Sequence, residues 1–139
     1  MAKIEDRAVD IAKKYEKKNK RIVVDFQRGK KGFRGFDLLS FSKDRRDVRS
    51  IEVKGTQINK KGKIHIPIVY DTGFTSTKKL VATHLYLAVF EAGKKAAFVK
   101  LLVFTASEIK PDYVREEKHY RITLPQHIFK EKLNRRIQK

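Results

Sequence analysis

Apolar side chains recur at helical spacing at the start of the chain, where Ile4, Ala8, Ile11, Ala12 and Tyr15 share one side and Lys13, Lys14, Lys17 and Lys18 take the other. That period predicts an amphipathic helix over residues 3 to 19, closed by Asn19 and the β-branched run behind it. Arg21 to Phe26 (RIVVDF) then reads as a short strand, leading into the glycine- and cation-rich loop QRGKKGFRG. FDLLSF and RSIEVKG read as two strands on either side of SKDRRDV, a polar segment suited to a hairpin turn. Lys63 to Val69 predicts another strand, with Pro67 placing it at an edge or a strand end.

Beyond a loop at Asp71, Thr72 and Gly73, the pattern predicts a short helix over Ser76 to Thr83 and an apolar strand from His84 to Phe90. Glu91, Ala92 and Gly93 turn the chain into a further strand over Ala96 to Phe104. A helical turn near Ser107 and Glu108, a strand around Tyr120 to Leu124, and a basic helix from about Gln126 carrying Ile128, Leu133 and Ile137 complete the series. This order predicts an α/β or α+β fold with a central mixed β-sheet flanked by helices. At 139 residues, with no repeat and no linker, the chain is expected to form a single domain over residues 1–139.

Charge changes the picture most. Lys and Arg number 34 against 16 acidic residues, a formal net charge of +18, which makes a polyanion, and nucleic acid first, the expected partner. Heat adaptation raises Glu together with Lys and does not account for an excess of one sign. The absence of cysteine excludes disulfides, thiolate zinc sites and a cysteine nucleophile, and fits a reducing cytoplasm. His65, His84, His119 and His127 are scattered without ligand spacing, and no phosphate-cradling GxxxxGK[ST] loop is present. The N-terminus lacks a signal-peptide apolar core and no apolar run approaches the roughly 20 residues that span a bilayer, so a soluble cytoplasmic protein without membrane association is expected.

The hairpin carries the candidate chemistry. If it turns around Asp44 and Arg45, Leu38 faces Ile51, Phe36 faces Val53 and Asp37 faces Glu52, so the carboxylates and the apolar pairs lie on opposite sides. Directly opposed Cβ atoms are about 4.5 to 5.5 Å apart, close enough for two carboxylates to share one hard cation. Lys54, two residues beyond Glu52, falls on the same face. Two like charges so placed repel unless a cation compensates them, so the pair makes physical sense as a Mg²⁺ site, with Mn²⁺ as a substitute. Such a site activates water against a phosphodiester, and Lys54 would orient that water or offset developing charge. The plainer alternative is an exposed hairpin with a cross-strand charge cluster and no catalysis.

GFDLLSF followed by RSIEVKGT resembles the core of the PD-(D/E)XK nuclease superfamily, in the branch with a G-[YF]-D-[IL]-x-S strand and an IEVKG strand; archaeal Holliday-junction resolvases are more distantly similar. The resemblance spans about residues 3 to 90 and is strongest from Gly35 to Thr56. It implies a restriction-endonuclease-like fold, a divalent metal and a DNA substrate. It also implies metal ligation by Asp37, Glu52 and the carbonyl of Val53, Lys54 as catalytic lysine, and Glu5 on the first helix as auxiliary acid. Gln57 joins this face only if a bulge or turn intervenes. Phe36 stands where the named proline would, and Lys78-Lys79 where related sequences tend to carry Asn-Glu, which leaves the substrate open.

Lys30, Lys31 and Arg34 precede Asp37, Arg45, Arg46 and Arg49 crowd the hairpin, and Lys60, Lys61 and Lys63 follow the catalytic strand, so together they are expected to track phosphates. The leading expectation is a metal-dependent DNA endonuclease that hydrolyses phosphodiester bonds, with selectivity for DNA structure as one option. The alternative is a non-catalytic nucleic-acid-binding protein with a degenerate nuclease fold. Resolution of a junction needs two cuts and would call for a C₂ homodimer.

Overall fold

The computed structural model describes residues 4–26, 36–58, 65–67, 80–110, 113–116 and 120–134. The first helix, α1, runs Ile4–Lys18, with Glu5 and Asp6 in its first turn and Lys17 and Lys18 in its last, each sign where the helix dipole favours it. It stops at Asn19, whose side-chain amide donates to the Tyr15 carbonyl, and at Lys20, whose φ of 61° turns the chain out of the helix.

The next three strands form a meander that contains the expected hairpin: β1 (Ile22–Asp25), β2 (Leu38–Phe41) and β3 (Val48–Gln57) pair antiparallel in sequence order. Leu38 stands opposite Ile51 and Phe41 opposite Val48, the register expected of the hairpin. The parallel partner of β3 is β5 (His84–Phe90), and β6 (Phe98–Thr105) returns antiparallel beside it. The sheet order is β1-β2-β3-β5-β6, a mixed five-stranded sheet. With its two helices the architecture is mixed α+β and consistent with a restriction-endonuclease-like fold.

Each face of the sheet has its own core. On one face Ala8, Val9 and Ala12 of α1 pack over Leu38, Ile51, Val53, Tyr86, Ala88 and Phe90. On the other, Leu85, Leu87, Val89, Leu102 and Phe104 meet Ile109, Ile122, Leu124 and Phe129. The last three come from the region of a second, three-stranded sheet, β4 (His65–Pro67), β8 (Tyr120–Thr123) and β7 (Val114–Glu116), and of the helix α2 (Gln126–Asn134). Apolar cover on both faces explains why HLYLAVF is a continuous apolar run rather than an alternating one.

Two expectations change. Leu80 to Thr83, the described end of the helix expected over Ser76 to Thr83, is a bridge and bend that enters β5; the rest of that segment lies outside the described residues. Val114–Glu116 forms a strand that its short, charged sequence does not signal. Pro67 does fall in an outer strand, since β4 ends the order of the small sheet among the described residues. Among these residues no helix is long and apolar enough to cross a membrane.

Candidate active site

Asp37 sits one residue ahead of the β2–β3 ladder and is fixed from three sides. Its N–H donates to the Ile51 carbonyl at 2.8 Å, and its carbonyl accepts from Phe26 N at 2.9 Å. Its side-chain Oδ2 accepts from the Val53 N–H at 2.8 Å. A carboxylate thus takes the place of a ladder carbonyl, which ends regular pairing and holds the acid against β3. Phe36 consequently does not face Val53: it packs with the core on the opposite side of the sheet, in edge contact with Phe26.

Alternation along β3 puts Ile51 and Val53 into the α1 core and leaves Glu52 and Lys54 on the other face, beside Leu85 and Leu87 of β5. Glu52 is 7% exposed and its side chain hydrogen-bonds Asp37. The Lys54 ammonium stands 3.7 Å from Glu52 Oε1. Burial, then the Asp37 charge, pushes the Glu52 carboxyl up to about 9. Burial also raises Asp37, against the Val53 N–H that favours its ionised form. The shared cause is burial; the contact between the two carboxyls acts in opposite senses, favouring the ionised form of Asp37 and the protonated form of Glu52.

Glu5 reaches the same place from the first turn of α1. Its carboxylate accepts from the Gly55 N–H, feels Lys54 and Asp37, and is raised chiefly by burial. The close approach of helix and strand that allows this requires Gly55: a Cβ there would collide with Ile4 Cγ2 and lie 3.1 Å from the Ile4 carbonyl oxygen. Glu5, Asp37, Glu52 and Lys54 are therefore brought together, with Val53 between the last two.

Other candidate residues lie elsewhere. No bulge interrupts β3 beside β5, so Gln57 falls on the α1 face and donates from Nε2 to the carbonyls of Glu91 and Gly93, bracing the β5–β6 turn. Arg49 also points to the α1 face, where it donates to the Tyr86 hydroxyl at 2.9 Å and pairs with Glu16 and Asp47. That commitment removes it from a phosphate track. Arg45 and Arg46 are exposed at the hairpin tip, the end away from Asp37, and Arg45 takes a φ of 63° to make the turn. Lys30, Lys31, Arg34, Lys60, Lys61 and Lys63 lie outside the described residues.

Two features carried no signal in sequence. Asp25 on β1 is paired in register with Leu38, ion-pairs with Lys13 and adds to the charge at Asp37. Fully buried Glu16 joins Arg21 (3.4 Å) and Arg49 (3.7 Å), and Arg21 continues to Ser40 and Asp47. Only the charge signs along α1 and the hairpin hint at these pairs, and they do not specify partners.

The donor set at the site is hard oxygen. Among the described residues no group of three or more His, Cys, Asp or Glu side chains forms a metal cage by itself. One or two carboxylates, however, are the usual protein share at a Mg²⁺ that also takes water and substrate phosphate. A cation between Asp37 and Glu52 would offset the burial that raises both and the Asp37 charge that raises Glu52, so the residues fit such an ion.

Residues 4–71 match the family model described as Protein NO VEIN, C-terminal. The match covers just under half of the chain and takes in α1 to β4, including Glu5, Asp37, Glu52 and Lys54. No curated protein and no solved structure matches the chain.

Proposed function

We propose that this chain is a divalent-metal-dependent DNA endonuclease of the PD-(D/E)XK type. The observation that supports this reading best is the buried contact of Asp37 with Glu52 beside Lys54 and Glu5, in a chain of net charge +18. Asp37 and Glu52, with the Val53 carbonyl, would hold Mg²⁺ or Mn²⁺. When bound, such an ion supplies Lewis acidity toward a phosphodiester oxygen and lowers the pKa of water.

The roles of the protein groups follow from their placement. The Val53 N–H fixes Asp37 at Oδ2 and holds its carboxylate in contact with Glu52, where a ligand would meet both acids. The Lys54 ammonium, close to Glu52, is placed to orient the attacking water or to offset the charge that builds on the phosphate oxygens. Glu5, tied to Gly55, adds negative potential at the edge of the site and a further acceptor for water. Arg45 and Arg46 would meet phosphates away from the cut.

The deciding experiment is cleavage of labelled duplex, single-stranded and four-way-junction DNA in Mg²⁺ or Mn²⁺ against EDTA, with Asp37→Asn and Lys54→Ala alongside the wild type. Metal-dependent cutting lost in both variants supports the nuclease. Salt-sensitive binding with no cutting of any substrate replaces it with a non-catalytic nucleic-acid binder.

A further inference from the structure

The face of the sheet opposite α1 is apolar where β1, β2 and β3 meet, and it is not part of either core. Register sets Ile22, Phe41 and Val48 side by side in one row across the three strands, with Val24, Leu39 and Ser50 in the next. Ile22 is 41% exposed, Val24 36% and Val48 52%, while Leu39 and Phe41 are half-buried. Among the described residues, none of the five apolar residues belongs to or packs against the buried clusters. Continuing the alternation one step further along the same face reaches Asp37 and Glu52. Arg45 and Arg46 stand exposed at the opposite end of this strip.

Sheet faces that bind unpaired nucleotides combine a ring on an inner strand with cations that hold the backbone, because every base has an apolar face and every linkage a charge. Here Phe41 is the ring on the inner strand, flanked by Ile22 and Val48, and the hairpin tip supplies the cations. A paired duplex keeps its base faces stacked and offers nothing to such a strip. The net charge of +18 favours a polyanion on this surface over a second copy of the same chain, which it repels.

We infer that this strip seats unpaired bases next to the scissile phosphate, so that the substrate is DNA containing a single-stranded segment rather than continuous duplex. The inference rests on the nuclease reading for the word substrate, but its test does not. Binding is measured in EDTA, where nothing is cut, by fluorescence anisotropy of labelled single strand, forked duplex with unpaired arms, and blunt duplex of matched length. Ile22→Ser combined with Val48→Ser removes the apolar rim without changing charge, and thermal denaturation shows that the variant is folded. Val48→Tyr adds a ring at the same position.

The wild type is expected to bind single strand and fork at least tenfold more tightly than duplex. The double serine variant should lose most of that ratio, and Val48→Tyr should increase it severalfold. Equal affinity for all three DNAs, or a ratio indifferent to both variants, overturns the inference. So does a concentration-dependent dimer in sedimentation that the serine variant disperses, since the face then belongs to a second copy. Cleavage could fail while the binding ratio holds, or succeed while it is absent, so the two readings stand or fall separately.

Discussion

Glu52 is the residue on which the site's electrostatics turn. Its carboxyl is raised in the folded protein, so between its ordinary range and about 9 the folded chain keeps a proton that the unfolded chain releases. Asp37 and Glu5 shift in the same direction. Stability of the metal-free protein is therefore greatest at acid pH as far as these groups are concerned, and falls as pH rises from about 4.5 toward 9. Glu52→Gln keeps the shape and removes the ionisation, so it should stabilise the metal-free protein at pH 7 to 8 by on the order of 2 kcal/mol, read from urea unfolding. An ion held between the two carboxylates would compete with that proton, so the increase in Tm on adding Mg²⁺ should be larger at pH 8 than at pH 5 in the wild type and small in Asp37→Asn. A wild-type Tm indifferent to Mg²⁺ at pH 8 would count against an ion between the two carboxylates.

At the scale of elements, α1 is held at both ends. Its start lies against β3 because Gly55 has no side chain, and its last turns are fixed by Glu16 to Arg21 and Arg49. Gly55→Ala must push Ile4 and the helix backbone away, at a cost of about 1–3 kcal/mol, and should carry Glu5 off the site. Its effect on Mg²⁺-dependent cutting is then expected to be less than additive with Glu5→Gln in a double-mutant cycle. Glu16→Ala removes the buried charge that Arg21 and Arg49 share and should cost about 3 kcal/mol in chemical denaturation. The hairpin that carries the carboxylates was legible in the sequence, since the alternation of Ile51, Glu52, Val53 and Lys54 and a polar turn around Asp44 and Arg45 set Leu38 against Ile51. Gln57 and Arg49 were not, because which face each occupies depends on an uninterrupted β3 and on the helix packed above it.

Across the whole molecule the excess of positive charge predicts binding governed by counterion release. Affinity for any DNA should fall steeply with salt, by roughly 10³-fold between about 50 and 200 mM if six or more phosphates are engaged. Arg45→Gln with Arg46→Gln should shallow that dependence, whereas Arg49→Gln should leave it unchanged and lower stability instead, because Arg49 is occupied by Glu16 and Tyr86. Titration of labelled duplex at several salt concentrations separates the two outcomes. Among the described residues the sheet has cores on both faces toward β5 and a partly exposed face toward β1, with Asp37 and Glu52 between them.

The sequence by itself determined most of the elements and the pairing that brings Asp37, Glu52 and Lys54 together, because period-two alternation and a hairpin turn are local properties that act over a few residues. It determined the sign of the molecule's own charge, +18. Only the tertiary structure decided that Glu5 reaches the site while Gln57 does not, that Arg49 is spent on buried Glu16, and that Ile22, Phe41 and Val48 form an open strip. Each of these depends on which element packs over which face of the sheet, and that is set by contacts between residues far apart in the chain, to which local pattern is blind.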